Sequence, residues 1–227
     1  MKKLKYIAPM LIALVCLGLQ QVKADTTSFN LSAGNPAISG YTGPYASVLV
    51  NRTSTTTAII TFTSLTNSGN IYLIGNGSSM GLNVNATTFG AGGVTSSQAG
   101  QTGFSAPSFT VNNVAGQNVD GFGSFNLTVD NFDGFDHAVN SISITLTNIS
   151  GTWASVADVL FANAQGALAV SHIFVTADPA VQSNGAKATG YAANGGSVNT
   201  TPDGGTTVML LGAALGALGM ARRFLRS

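Results

Sequence analysis

Cysteine, glutamate and histidine are nearly absent from this sequence, and their scarcity excludes several kinds of chemistry. The single cysteine, Cys16, lies in an apolar N-terminal segment, and there is no glutamate anywhere in the chain. A disulfide needs two thiols, and thiolate catalysis or a cysteine-based zinc site needs at least one. None of these is therefore expected in the part of the chain that follows residue 24.

Charge is sparse as well, and it is distributed unevenly. Between residues 25 and 201 there are two cationic side chains, Arg52 and Lys187, against seven aspartates, a net charge of −5. Proteins bind phosphate backbones by displacing counterions with many cationic groups. We therefore expect no nucleic-acid binding, and the formal net charge of +1 for the whole chain comes from its two ends.

The N-terminal end has the three-part layout of a secretory signal peptide. Three lysines occur within the first five residues, and an apolar stretch over 6–19 follows that is short for a membrane span. Val22 and Ala24 then place compact residues at the −3 and −1 positions before Asp25. This pattern predicts cleavage by signal peptidase between Ala24 and Asp25; an uncleaved N-terminal anchor is the alternative.

The C-terminal end is apolar and then basic. Residues 206–221 carry no charge, and small residues recur there every three or four positions, which favours close packing against another membrane helix. The segment is shorter than the roughly 20 residues of a straight span. Arg222, Arg223 and Arg226 follow it, and their long stems can snorkel while their charges hold the terminus in the cytoplasm. We predict a transmembrane helix over 206–221; a buried helix of a protein core is the alternative.

The order of a PDGG motif, an apolar helix and a basic end resembles the PEP-CTERM sorting signals, most closely the VPDSG-CTERM variant. The motif corresponds to Pro202, Asp203, Gly204 and Gly205, with Thr201 in place of the usual valine and Gly204 in place of the usual serine. The resemblance implies recognition by an exosortase, a membrane protease-transpeptidase of Gram-negative bacteria that produce polysaccharide. A glycolipid (GPI) anchor signal is the alternative, but such signals usually end in apolar residues rather than arginines.

Strand-forming residues dominate the middle of the chain, where Val, Ile, Thr and Phe runs are separated by Gly, Asn and Ser. Apolar Phe125, Leu127 and Val129 alternate with polar residues, and the segment 142–147 repeats the pattern, which predicts an antiparallel sheet with one wet face. The sequence therefore predicts a mainly β fold, a single antiparallel β-sandwich or jelly-roll-like domain. Strands are expected in the segments 48–51, 57–65, 70–77, 81–89, 107–114, 123–132, 140–149 and 167–178.

Two segments depart from the strand pattern. The spacing of apolar residues over 156–163 predicts a short helix that ends before Gly166. The region 187–201 is rich in Gly, Ala, Asn and Thr, which predicts a flexible stalk. The chain is thus divided into a signal peptide (1–24), a β-rich exported domain (25–186), the stalk (187–201) and a C-terminal sorting signal (202–227).

Three aspartates form the one candidate metal site. Asp130, Asp133 and Asp136 lie in the segment DNFDGFD, and their hard oxygen atoms suit Ca²⁺. The spacing differs from that of an EF-hand loop, however, and aspartates also start turns by binding their own backbone. We favour the turn interpretation and predict no metal or other cofactor.

The sequence predicts no enzyme. Asp136 and His137 are neighbours, which point to opposite faces if the chain is extended. His172 shares a predicted strand face with apolar residues, which indicates a hydrogen-bonded structural histidine. GxSxG, HExxH and P-loop motifs are absent. A secreted hydrolase is the less favoured alternative.

Two functions of the exported domain remain open. A surface rich in Ser, Thr, Asn and Gly suits a structural protein of the cell surface or extracellular matrix, associated with exopolysaccharide. The alternative is a lectin-like carbohydrate-binding module, whose ring platform would come from Trp153 or from Tyr41, Tyr45, Tyr72 or Tyr191. Packing in the core is the competing interpretation of Trp153.

Overall fold

Short antiparallel strands make up most of the exported domain. The computed structural model describes residues 24–195, so the sorting signal and all of the predicted signal peptide except Ala24 lie outside the described residues. The strands within that range are β1 (Asp25–Leu31), β2 (Ala33–Gly34), β3 (Ala46–Arg52), β4 (Thr57–Ser64), β5 (Thr66–Asn67), β6 (Asn70–Ile74), β7 (Gly77–Leu82), β8 (Phe89–Ser97), β9 (Thr110–Asn112), β10 (Gln117–Val119), β11 (Gly123–Phe125), β12 (Leu127–Asn131), β13 (Ser141–Asn148), β14 (Ala169–Ala177) and β15 (Ala188–Ala193).

Most of these strands join two antiparallel sheets. Sheet A has the order β1-β3-β4-β13-β8. Sheet B has the order β2-β15-β14-β7-β12-β9, and β6 pairs with the C-terminal half of β14 and with β5. The strands β10 and β11 form a separate hairpin. The predicted mainly β fold with antiparallel sheets is confirmed.

The inward side chains of both sheets meet in one buried cluster. Val48, Ile60 and Ile144 enter it from sheet A, and Met80 and Leu127 enter it from sheet B. All five are at most 1% exposed. Removing this apolar surface from water is the main favourable contribution to folding.

Sheet A has the wet outer face that the alternation predicts. On β13, Ile142, Ile144 and Leu146 are fully buried, whereas the residues between them are partly exposed. The outward hydroxyls of Ser143 and Thr61 lie 2.7 Å apart across two neighbouring strands. The alternation of apolar and polar residues in the sequence therefore gives this sheet one apolar and one polar face.

The prediction of a wet face is wrong for sheet B, because loops and the β10–β11 hairpin cover its outer side. Every residue of β14 from Ala169 to Thr176 is buried. A cluster that includes Phe122 and Phe125 packs on Val170. A further cluster that includes Phe135 packs on Phe174. Sheet B therefore lies between two apolar layers.

The prediction that Phe125 shares a face with Leu127 and Val129 is also wrong. Leu127 and Val129 face the cluster between the sheets, while Phe125 belongs to the cluster on the other side of sheet B. The chain changes layer at Asn126, whose amide pairs with the backbone of Val84 through contacts of 2.8 and 2.9 Å. The side-chain amide of Asn126 thus takes the place of a backbone hydrogen bond between strands. The alternation of apolar and polar residues ends at this position.

The helix predicted over 156–163 is wrong. A single 3-10 turn, Val156–Asp158, forms instead, and Ser155 and Asp158 close it with a capping box. Val159 and Leu160 then enter the core between the sheets, and Leu160 forms an isolated bridge with Val84. The helix does not continue, because Leu160 pairs with Val84 as a strand residue does.

The predicted stalk is wrong over residues 188–193, which form β15 and pair with β14 along their length. The small side chains that suggested flexibility are instead required by close packing. A Cβ atom on Gly190 would lie 2.4 Å from Oδ1 of Asn35 and 3.0 Å from Ile38. The exported domain therefore extends at least to Ala193.

Candidate functional site

The predicted cleavage bond lies directly before the first strand. β1 begins at Asp25, whose Oδ1 accepts a hydrogen bond from Nε of Arg52 at 2.7 Å and whose Oδ2 accepts one from the backbone N–H of Val156 at 2.9 Å. The bonds from Arg52 and then Val156 lower the pKa of the Asp25 carboxyl. Cleavage after Ala24 would thus leave an N-terminal residue that is held by two separate segments of the domain.

The three candidate calcium ligands do not form one site. Each carboxylate accepts hydrogen bonds from donors of its own, and within residues 24–195 no group of three or more His, Cys, Asp or Glu side chains is arranged to hold a metal ion. Their oxygen atoms accept three separate sets of hydrogen bonds. The contacts are Thr128 Oγ1 to Asp130 at 3.2 Å, the N–H of Ser108 to Asp133 at 3.0 Å, and Nε2 of Gln182 to Asp136 at 2.7 Å.

Asp130 is a buried carboxylate that joins β12 to β9. It is 7% exposed, and Nδ2 of Asn112 donates to it in addition to Thr128. Burial raises the pKa of Asp130 above its ordinary 3.8, and the hydrogen bonds oppose that effect. The ionised carboxylate therefore destabilises the fold, and this penalty is relieved as the pH falls through the raised pKa.

The two histidines occupy separate and different environments. His137 lies in the 3-10 turn Phe135–His137, and its Nδ1 donates to the carbonyl of Asp133 at 3.1 Å. His172 is 6% exposed on β14; its Nδ1 donates to the carbonyl of Gly75, and its Nε2 accepts from the hydroxyl of Thr189 at 2.9 Å. Both ring nitrogens of His172 are thus engaged in its neutral form.

Burial lowers the pKa of His172 below its ordinary 6.5. Below that pH the unfolded chain binds a proton that the folded chain does not bind, so the free energy of unfolding should fall as the pH falls from 6.5 towards the lowered pKa. We expect a slope of up to about 1.4 kcal/mol per pH unit in this window. Urea unfolding of the His172→Gln variant should lack this slope, whereas the His137→Gln variant should keep it. An unchanged slope in His172→Gln would contradict the assignment.

The aromatic side chains proposed as a sugar platform are mostly buried. Trp153 is 1% exposed, and its Nε1 donates to the carbonyl of Asn85 at 2.7 Å. Tyr45 and Tyr72 pack edge to face inside the core, with ring centroids 4.9 Å apart. The core-packing interpretation of Trp153 is confirmed. Among residues 24–195 the exposed aromatic side chains are Phe132 and Phe161, at 76% and 44%, and neither was predicted as a site residue.

A polar groove of about 440 Å³ lies beside Trp153 and was not predicted from the sequence. Its walls are the loop after β7 and the loop after β13, two segments more than sixty residues apart in the chain. No local motif marks it, because it exists only where the two loops meet. Its polar lining comes from Asn85, Thr87, Asn148, Ser150, Thr152 and Asp158.

The described residues form a mainly β domain in which His137 and His172 occupy separate places. Residues 202–224 match the family model of the VPDSG-CTERM motif, a variant of the PEP-CTERM-like exosortase sorting signals. The predicted resemblance is confirmed, and the motif supports export, surface association and processing by an exosortase-type enzyme.

Neither a curated protein nor a solved structure matches the chain. The helical segments between residues 24 and 195 are short turns, and none of them could cross a membrane. The predicted transmembrane helix 206–221 lies outside this range.

Proposed function

We propose that this chain is an exported cell-surface or extracellular-matrix protein with a structural or exopolysaccharide-associated role, and that it is not an enzyme. The observation that carries the proposal is the VPDSG-CTERM motif at 202–224, which follows the β-rich domain. Signal peptidase would remove residues 1–24, the helix over 206–221 would hold the chain in the inner membrane, and exosortase would act near Pro202. The released domain would then reside at the cell surface, in the outer membrane or in the matrix.

The nearly uncharged outer face of sheet A supports a role in a hydrated matrix. We class its two sheets, which share one core, as a β-sandwich. Asp25 and Arg52 are the charged residues in the strands of sheet A, and they form an ion pair with each other. The outer face of this sheet presents mainly hydroxyl and amide groups, beside the exposed apolar side chains Leu49 and Ile59. Such a face can hydrogen-bond to water and sugars without attracting counterions.

The intact mass of the secreted protein tests this proposal. We expect a species that lacks residues 1–24 and ends near Pro202, because each terminal segment is removed by its own enzyme. The membrane-bound precursor, analysed in parallel, should lack residues 1–24 but retain Ser227. Secreted protein that still ends at Ser227 would contradict processing at the sorting signal.

A carbohydrate-binding module is the second candidate function. The groove beside Trp153 favours it, since its lining groups are polar and mostly uncharged. Ring stacking on Trp153 is not part of this proposal, because the indole is buried. We do not propose a hydrolase or a GPI anchor, since neither has a supporting observation comparable to the sorting motif.

A further inference from the structure

The first strand, β1, is an edge strand with one backbone edge unpaired. It pairs with β3 over seven residues, Asp25–Leu31, and it is the terminal strand of sheet A. Within residues 24–195 the backbone groups of residues 26–30 make no backbone hydrogen bond besides those of the β1–β3 ladder. An edge strand presents its remaining N–H and C=O groups in a row, and such a row can pair with a further strand.

The other terminal strands of the two sheets are short or irregular. The strands β2 and β9, which end sheet B, contain two and three residues. The opposite edge of sheet A, β8, has a bulge where its register with β13 shifts near Gly93, whose φ is +63°. Short length, bulges, lysine and proline keep natural edge strands from pairing with other chains. The strand β1 is straight in its register and contains neither lysine nor proline.

The charge on β1 does not oppose pairing with a second copy. Asp25 is the one charged residue of the strand, and Nε of Arg52 pairs with it at 2.7 Å. If two β1 strands pair antiparallel around Ser28, Asp25 lies opposite Leu31 of the second copy, so the two carboxylates are at opposite ends of the interface. Although residues 25–201 carry a net charge of −5, two copies can meet at this edge without facing like charges.

The same pairing would bring apolar surface of both copies together. Thr27 and Phe29 line an apolar groove of about 230 Å³, whose other walls include Leu160 and Leu168. Residues that pair across neighbouring strands share one face of the sheet. In the arrangement centred on Ser28, Thr27 therefore lies opposite Phe29 of the second copy. The half-buried Phe29 then loses further contact with water, which favours association.

We propose that two copies of this chain associate through β1, paired antiparallel around Ser28. The pairing joins the two five-stranded sheets A into one continuous sheet. Each copy contributes the same surface, as a two-fold interface requires. The outer hydroxyl-rich face then extends over both copies. This association goes beyond the proposed function and does not depend on processing at the sorting signal.

Analytical ultracentrifugation of the secreted protein tests the association. The weight-average mass of the wild type should rise with concentration from that of one chain towards that of two. Ser28→Lys places two like charges opposite each other at the two-fold axis, which should raise the dissociation constant about tenfold. Ser28 is exposed, so the substitution leaves the core unchanged. Thr95→Lys makes the same kind of change at an exposed position of β8 and should dimerise like the wild type.

A mixture of Ser28→Lys and Ser28→Asp separates lost association from lost folding. Each variant alone should dimerise weakly, whereas the mixture should form a heterodimer at least as tightly as the wild type, because opposite charges then meet at the axis. Failure of the mixture to associate would overturn the pairing around Ser28.

Three further results would overturn the inference. The first is a wild-type protein that stays monomeric at every concentration, as expected if another segment of the same chain covers β1. The second is a dimer that Ser28→Lys leaves intact, and the third is a dimer that Thr95→Lys dissociates, since either places the contact elsewhere. The intact mass of the secreted protein decides the sorting proposal separately.

Discussion

Replacing Arg222, Arg223 and Arg226 together by glutamine is expected to abolish normal sorting of the protein. Each guanidinium costs about 3 kcal/mol to place at the centre of a bilayer. We therefore expect the three arginines to stop translocation at the end of the short apolar segment 206–221. Without them nothing opposes passage of the C-terminus through the membrane, so the processing enzyme should lose its correctly oriented substrate.

The corresponding triple lysine variant is the matched control, since it preserves the positive charge and should be sorted as wild type. Cell fractionation with immunoblotting, and a reporter fused after Ser227, measure the outcome. In wild type the reporter should be active only on the cytoplasmic side, and in the triple glutamine variant it should appear outside or be lost with the precursor. Normal processing of the triple glutamine variant would contradict the orientation on which the sorting proposal depends.

Replacing Trp153 by alanine is expected to be the most destabilising substitution we propose in the exported domain. The side chain is among the largest that are fully buried, and its indole N–H is bonded to the carbonyl of Asn85. Removing it leaves a cavity and an unpaired carbonyl, which together should lower the free energy of unfolding by about 3–5 kcal/mol. For a domain of this size the melting temperature should fall by roughly 6–20 °C.

Phe132→Ala is the control, because it also removes an aromatic ring, but one that is 76% exposed. Its effect on unfolding should remain within about 0.5 kcal/mol. Calorimetric melting and urea unfolding of the two variants measure the difference. A stability loss of less than about 1 kcal/mol in Trp153→Ala would contradict the assignment of the indole to the core.

Trp153 also connects the predicted mature N-terminus to the groove. Nη1 of Arg52 donates to the carbonyl of Trp153 at 3.1 Å, and Nε of the same guanidinium donates to Asp25. The indole then supports Asn85 on the wall of the groove. The first residue of β1, the ion pair and the groove therefore form one hydrogen-bonded unit at the same end of the domain.

Much of the sheet structure could be predicted from local patterns, and the failures have physical causes. β13 was predicted correctly because one of its faces is wet, so that a period of two appears in the sequence. The layer change at Phe125 was missed because it depends on a distant contact between Asn126 and Val84. The strand β15 was missed because small residues locally indicate flexibility. Its small residues are needed because Asn35 and Ile38 pack closely against Gly190.

The candidate sites also differ in how far the sequence alone could predict them. Asp130, Asp133 and Asp136 look like a ligand set in the sequence, but each of them accepts hydrogen bonds from donors of its own. Asn148 carries no such signal, since asparagine at the end of a strand is an ordinary turn residue. Only the meeting of two loops far apart in the chain places it in the lining of a groove.

The sequence by itself determined the sorting motif and the strand-rich character of the domain, because these depend on residue type, local order and a short period. The tertiary structure alone decided that sheet B is covered on both sides, that residues 188–193 belong to the domain, and that Asn148 and Asp158 face one groove. These features depend on contacts between segments that are remote in the chain, and local patterns carry no information about which remote segments meet.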